Sequence, residues 1–156
     1  MRAPTLWCRA GGGCCDRCDL LVGLPGMHVI GVDRDPLDRL IVTVESAAEP
    51  MGCRSCGVIV HGHGRVDVRL VDAPAFGRPV RVVWRKRRWV CPEPACEVGS
   101  VVEQDERIAS PRAVLTTRAC RWAIEQIRRE HALVNGIRRQ PGQGWRTVWA
   151  LPLIQL

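Results

Sequence analysis

The sequence lacks any apolar run long enough to cross a bilayer. Its longest uncharged apolar stretch, from Leu20 to Val32, is interrupted by Pro25 and His28, whereas a spanning helix needs about 20 apolar residues. The first 19 residues also lack the apolar segment of a secretory signal peptide. These absences argue against a membrane partner and against secretion, and they predict a cytoplasmic, nucleoid-associated protein.

Acidic residues are in the minority. The 156-residue chain has 23 Lys and Arg against 16 Asp and Glu, a net charge of +7 and a pI of about 9.3. Two blocks, 61–90 and 110–156, each carry 8 basic residues against 2 acidic ones, and an acidic stretch over 92–107 separates them. Because such blocks attract polyanions, the sequence predicts a nucleic acid as the partner. The alternative is that these arginines form ordinary solvated faces.

Nine cysteines could suggest a disulfide scaffold, but their number is odd and they cluster in short-spaced pairs. The first pair is Cys53 and Cys56, followed by Gly57, and the second is Cys91 and Cys96. Each spacing lets two thiolates point at one position, and glycine supplies the positive φ that such a turn often needs. Four sulfurs form a closed structural site, so the pattern predicts one structural Zn²⁺. The alternative is four reduced thiols packed in turns.

The amino-terminal segment has a different composition. Residues 1–19 contain a run of three glycines and four further cysteines, and we interpret them as a mobile Cys- and Gly-rich tail. One pair in this tail is again a CxxC, so a second metal site is an alternative. The sequence does not assign a role to these four residues, which are Cys8, Cys14, Cys15 and Cys18.

Residues 20–100 are predicted to form a zinc ribbon built from antiparallel hairpins. Residues 27–46 have two β-branched runs around turn residues. Residues 65–71 alternate polar and apolar side chains, residues 72–74 are expected to end that strand, and a return strand starts at Pro79. Such a hairpin would bring Cys91 back to the first cysteine pair.

After a linker over 101–111, residues 112–156 are predicted to be helical. Ser110 and Pro111 suit a helix start, and Thr116 or Thr117 is a later candidate cap. An apolar stripe follows, and shorter helices are expected over 131–139 and 145–149. This order is typical of a helix-turn-helix. The predicted fold class is therefore α+β, a small zinc-ribbon β module followed by a helix-turn-helix module. The residues of the stripe are Cys120, Ala123, Ile124 and Ile127.

Residues from about Leu20 to Trp149 resemble the amino half of bacterial insertion-sequence transposases of the ISL-three type. The runs Asp72–Val80 and Arg87–Cys91 are far more specific than a bare CxxC. The matching residues are Cys53–Gly57, His61–Gly62, Asp72–Val80, Arg87–Cys91, Pro94–Cys96, Leu115–Arg118 and Trp145–Trp149.

The resemblance implies zinc-ribbon and helix-turn-helix modules that recognise terminal inverted repeats, so the expected partner is double-stranded DNA. In the family these modules precede an RNase-H-like domain whose acidic residues bind divalent metal, and none of the 16 acids here matches that constellation. The expected protein is therefore a truncated, DNA-binding transposase fragment without catalytic residues, with a full-length transposase as a further partner. A free-standing zinc-ribbon regulator and a zinc-stabilised protein-interaction module are the alternatives.

The sequence also nominates DNA-contacting residues. Arginine and lysine on the return strand are expected to contact phosphates, with Trp84 and Trp89 packing in the core. Polar residues of the last helix are expected to reach base edges. The candidate DNA-binding residues are Arg85, Lys86, Arg87, Arg88, Trp145, Arg146 and Thr147.

Overall fold

The computed structural model describes residues 15–129. These residues form five strands and two helices. A helix, α1, precedes the sheet, and a second helix, α2, follows it. The elements are α1 (Asp16–Val22), β1 (Met27–Arg34), β2 (Leu40–Ser46), β3 (His61–Ala75), β4 (Arg78–Val90), β5 (Ser100–Val102) and α2 (Thr117–Arg129).

All five strands belong to one mixed sheet with the order β1-β2-β4-β3, and β5 pairs with the far end of β4. The β1–β2 and β3–β4 pairs are antiparallel, but β2 runs parallel to β4, with Val42 opposite Val82 and Val44 opposite Trp84. All four of these residues are buried. The two predicted hairpins therefore share one sheet and one core.

This architecture corrects the predicted fold class. Of the described residues, 43% lie in strands and 17% in helices. The described part of the chain is therefore mostly β and is not a β module followed by a helix-turn-helix module. The prediction was wrong because it treated the hairpins and helices as separate local units, whereas the parallel β2–β4 pair joins distant segments. The predicted helices over 131–139 and 145–149 lie outside the described residues.

The long β3–β4 hairpin turns through two residues, Phe76 and Gly77, whose φ angles are 53° and 70°. Two positive φ angles match the twist of an antiparallel hairpin. Strand β3 does not end at residues 72–74 as predicted. It continues to Ala75, which pairs with Arg78, and the ladder shifts register between Asp72 and Ala75. The irregular register accommodates Pro74, which has no N–H to donate.

Helix α2 starts later than the Ser110–Pro111 signal predicts. The backbone of Val71 on β3 accepts a hydrogen bond from the Thr116 N–H (2.9 Å) and donates one to the Val114 carbonyl (2.8 Å). Because this segment is extended against the sheet edge, the helix begins at Thr117. The alternative prediction of Thr116 as the cap is confirmed, since its Oγ1 accepts the Ala119 N–H at 3.1 Å.

A buried ion pair fixes α2 to the sheet. Asp72 on β3 is fully buried, and its carboxylate accepts hydrogen bonds from the Thr116 hydroxyl (2.6 Å) and the Arg118 guanidinium (2.8 Å from Nε). Arg118 also donates to the Val22 carbonyl at the end of α1. A buried carboxylate requires such partners because desolvation of an unpaired charge is costly. One residue thus connects both helices to β3.

The main core lies on one face of the sheet. Side chains from β1, β2, β3 and β4 pack there against the segment after α1 and the segment before α2. Trp84 is fully buried, which confirms the prediction that it packs in the core. The sequence predicts a tail over residues 1–19, whereas the structure places residues 16–19 in helix α1.

Candidate metal centre

The first cysteine pair lies in a small hairpin between β2 and β3. The Cys53 N–H donates to the Val58 carbonyl, and the Gly57 N–H donates to the Cys53 carbonyl, both at 2.8 Å. Gly57 has a φ of 75°, so the predicted positive φ is confirmed. Gly52 faces Ile59 in an antiparallel bridge. The tight turn directs both thiols of the pair to the same side.

The second pair follows β4 directly. The Cys91 N–H donates to the Gly99 carbonyl, and the Cys96 N–H donates to the Glu93 carbonyl, both at 3.1 Å. Because β3 pairs with β4 from His61 to Ala75, the end of β4 lies beside the start of β3 and therefore beside the first pair. The hairpin carries Cys91 back to the first pair, as predicted.

The four sulfur atoms converge. All lie within 4.8 Å of one another, with 3.7 Å between Cys53 and Cys96 and 3.5 Å between Cys56 and Cys91. A tetrahedral zinc with Zn–S bonds near 2.3 Å separates its sulfurs by roughly 3.8 Å. The four thiols therefore fit one structural zinc. His61 and His63 are exposed and are not in this group.

A bound cation is needed for all four thiols to ionise together. Backbone N–H groups of Cys56 and Ser55 directed at the Cys53 sulfur lower its pKa to about 6. The Glu93 N–H acts to lower the pKa of Cys91, but desolvation and the neighbouring thiols outweigh it and raise that pKa to about 12. Four thiolates at this distance repel one another, and a bound divalent ion offsets that repulsion.

We compared the chain with known proteins. Residues 49–96 match the family model for the zinc-finger of transposase IS204/IS1001/IS1096/IS1165. The matched segment is similar to a transposase zinc ribbon, and it contains all four converging cysteines. This supports the resemblance over these residues. No curated protein and no solved structure gave a significant match.

The nominated basic residues of β4 do not share one environment. Lys86 is buried, donates to the Gln104 side chain at 2.7 Å and lies 4.1 Å from the centre of the Trp84 ring. Burial also lowers the pKa of Lys86. Of the run 85–88, only Arg88 is exposed. Because successive side chains of a strand point to opposite faces, Arg85 and Arg87 lie on one face of the sheet and Lys86 and Arg88 on the other.

The neighbours Arg85 and Arg87 are engaged with acids. Arg85 pairs with Asp67 at 3.2 Å, and Arg87 pairs with Glu45 at 2.9 Å. The geometry therefore does not favour Lys86 as a phosphate contact, and it assigns Arg85 and Arg87 to one face of the sheet. The other nominated residues, Trp145, Arg146 and Thr147, lie outside the described residues.

A groove of about 480 Å³ lies beside the metal centre. Arg54 from the first cysteine turn and Trp89 from β4 contribute to its wall, together with Arg107. Sequence analysis missed this groove, because its walls come from four separate segments. Four acidic residues also line it, which are Glu49, Glu103, Asp105 and Glu106.

No helix in the range 15–129 is long and apolar enough to cross a membrane.

Proposed function

We propose that this chain is the DNA-binding part of an insertion-sequence transposase and that it recognises the element's terminal inverted repeats. One observation carries the proposal: the segment that matches the transposase zinc finger contains the four sulfurs that converge into a zinc site. The net charge of +7 supports a polyanionic partner. A full-length transposase that acts on the same ends is a further proposed partner.

We also propose that this chain binds DNA without cleaving it. The metal centre consists of thiolates, which suit a closed structural zinc. Strand cleavage and transfer instead need carboxylates that hold divalent metal ions against the phosphate oxygens. Purified protein with Mg²⁺ or Mn²⁺ is expected neither to nick nor to join a plasmid carrying the repeats. Metal-dependent cleavage that co-purifies with the protein through several columns contradicts this part of the proposal.

A gel-shift titration tests the binding itself. The zinc-loaded protein is titrated against a duplex carrying the repeats that flank its gene and against a scrambled duplex of the same length and composition. We expect tighter binding to the repeat and affinity that falls as salt rises, because phosphate contacts release counterions. Equal affinity for both duplexes rejects repeat recognition. Absence of any salt-dependent binding rejects DNA binding and favours a zinc-stabilised protein-interaction module.

A further inference from the structure

Strand alternation divides the side chains of β3 and β4 between two faces of the sheet. On β4, Val82 and Trp84 point into the core, so the odd-numbered residues point to the opposite face. The register places Arg69 of β3 opposite Val83 and Arg65 opposite Arg87. Five arginines therefore share the face opposite the core, which we call the arginine face. Its members are Arg65, Arg69, Arg81, Arg85 and Arg87.

The described helices leave the arginine face open. Val22, at the end of α1, packs against the core cluster on the other face. Arg118 of α2 reaches Asp72, which lies two residues after the core residue Leu70 on β3 and therefore on the core side. Arg65 and Arg69 are exposed, and Arg85 is half-exposed. These contacts of both helices lie on the core side, and Arg65, Arg69 and Arg85 are accessible to a ligand.

The arginine face carries more positive charge than its acids balance. Glu45 is shared by two arginines, at 2.7 Å from Arg65 and 2.9 Å from Arg87, and Asp67 pairs with Arg85. Arg69 forms no ion pair with any described residue. The register also places Asp33 on this face, opposite Ile41 and beside Arg81, and Asp35 acts on Arg81. The positive excess on the face therefore centres on Arg69. An excess of like charge on one open face is relieved when a polyanion binds.

Charge crowding is also visible at Arg81. Burial lowers the pKa of Arg81 and the neighbouring Arg39 lowers it further, while Asp35 acts in the opposite direction. The groove beside the metal centre has the opposite character, since four acids and two arginines line it. Phosphates are repelled from such a groove. The sheet face, and not the groove, has the charge that complements DNA.

We infer that the arginine face contacts the phosphate backbone of duplex DNA, with Arg69 at its centre. This inference rests on the proposed DNA binding and specifies the surface that performs it. It differs from the expectation that the continuous run 85–88 forms the contact. Lys86 and Arg88 alternate with the arginine-face residues of β4 and point to the other side of the sheet. Phosphate contacts fix orientation without reading sequence.

A matched pair of variants tests the inference. Arg69→Gln removes a guanidinium that has no described intramolecular partner, so folding and zinc content are expected to be unchanged. Arg88→Gln removes the same charge from an exposed arginine on the opposite face. Fluorescence anisotropy with repeat and scrambled duplexes is measured from about 50 to 200 mM salt. For Arg69→Gln, we expect the slope of log affinity against log salt to become shallower by about 0.9.

The loss of affinity for Arg69→Gln is expected to be equal on both duplexes, and Arg69→Lys should retain the wild-type slope. Arg88→Gln should also keep the wild-type slope. Suppose that wild-type protein binds DNA with salt dependence. If Arg69→Gln then keeps the wild-type slope, or if Arg88→Gln lowers the slope as much as Arg69→Gln does, the arginine face is the wrong surface. The proposed function would still stand in that case. If wild-type protein does not bind DNA, both proposals are rejected.

Discussion

The two ends of the β3–β4 hairpin are stabilised by different physical means. At the turn end, Leu70, Val80 and Val82 are buried against the rest of the core. At the metal end, over residues 51–67, only Cys53 and Val60 are buried. The turn end is therefore stabilised by an apolar core, and the metal end by the four cysteine sulfurs that can bind zinc. The same pair of strands thus combines burial-driven stability with metal-dependent stability.

This difference indicates how each end should respond to perturbation. Apolar burial contributes roughly 25 cal/mol per Å² and needs no ligand. A structural zinc couples its binding energy to folding, so its loss removes the stability of the segment that it organises. The metal end is therefore expected to unfold alone when zinc is removed. The core end is expected to persist.

The largest expected effect follows removal of a ligand. Cys91→Ser should abolish stoichiometric zinc binding and destabilise the metal end by on the order of 10 kcal/mol. Hydrogen exchange should show loss of protection over 51–67 and 91–102, with protection retained in β1 and β2. Chelation of the wild-type protein should give the same pattern. Cys120→Ser is the matched control, because Cys120 lies on α2 outside the sulfur cluster. Uniform loss of protection would mean that the two ends are one cooperative unit.

A substitution in the core should have the next largest effect. Trp84→Ala removes a fully buried indole and is expected to cost about 3–5 kcal/mol in urea unfolding of the zinc-loaded protein. Trp89→Ala, on the same strand near the metal end, should cost less than half as much, because Trp89 is only half-buried. Zinc content should stay at one per chain in both variants. Similar costs for the two tryptophans would contradict the contrast between the ends.

The smallest expected effect concerns the attachment of α2 to the core end. Thr116→Ala removes both the hydroxyl that caps α2 and a hydrogen bond to the buried Asp72 carboxylate. We expect a loss of about 1–2 kcal/mol in the free energy of unfolding, with zinc affinity unchanged. Thr116→Ser retains the hydroxyl and should stay close to wild type. Weakened zinc binding in Thr116→Ala would show that α2 also supports the metal end.

Local chemistry made the metal centre predictable. The spacing of Cys53 and Cys56 and the glycine after them define a turn without reference to the rest of the chain. The second pair was assigned correctly because an alternating strand had to return along its neighbour. The β-branched runs of β1 and β2 were equally local, and the structure confirms both strands.

Longer-range features were not predictable in the same way. The parallel β2–β4 pair leaves no local signal, since both strands have the same alternating pattern that an antiparallel pair would have. The signal at Ser110 and Pro111 was overridden because the chain up to Thr116 hydrogen-bonds to β3. The run 85–88 looked like one basic surface because a linear sequence does not show which side of a strand each residue faces.

The parallel β2–β4 pair also sets the order in which strands can assemble. Strands β3 and β4 are joined by two residues, and such hairpins form in about 1–10 μs. Docking of β4 on β2 must instead close the segment 47–77, which contains the first cysteine pair and β3. Zinc bound by both cysteine pairs links the first pair, which lies inside this segment, to the end of β4. The loop that must still close is then shorter. Folding is therefore expected to be faster with zinc, which stopped-flow refolding with and without the metal measures. The metal then acts on the rate of folding as well as on its equilibrium.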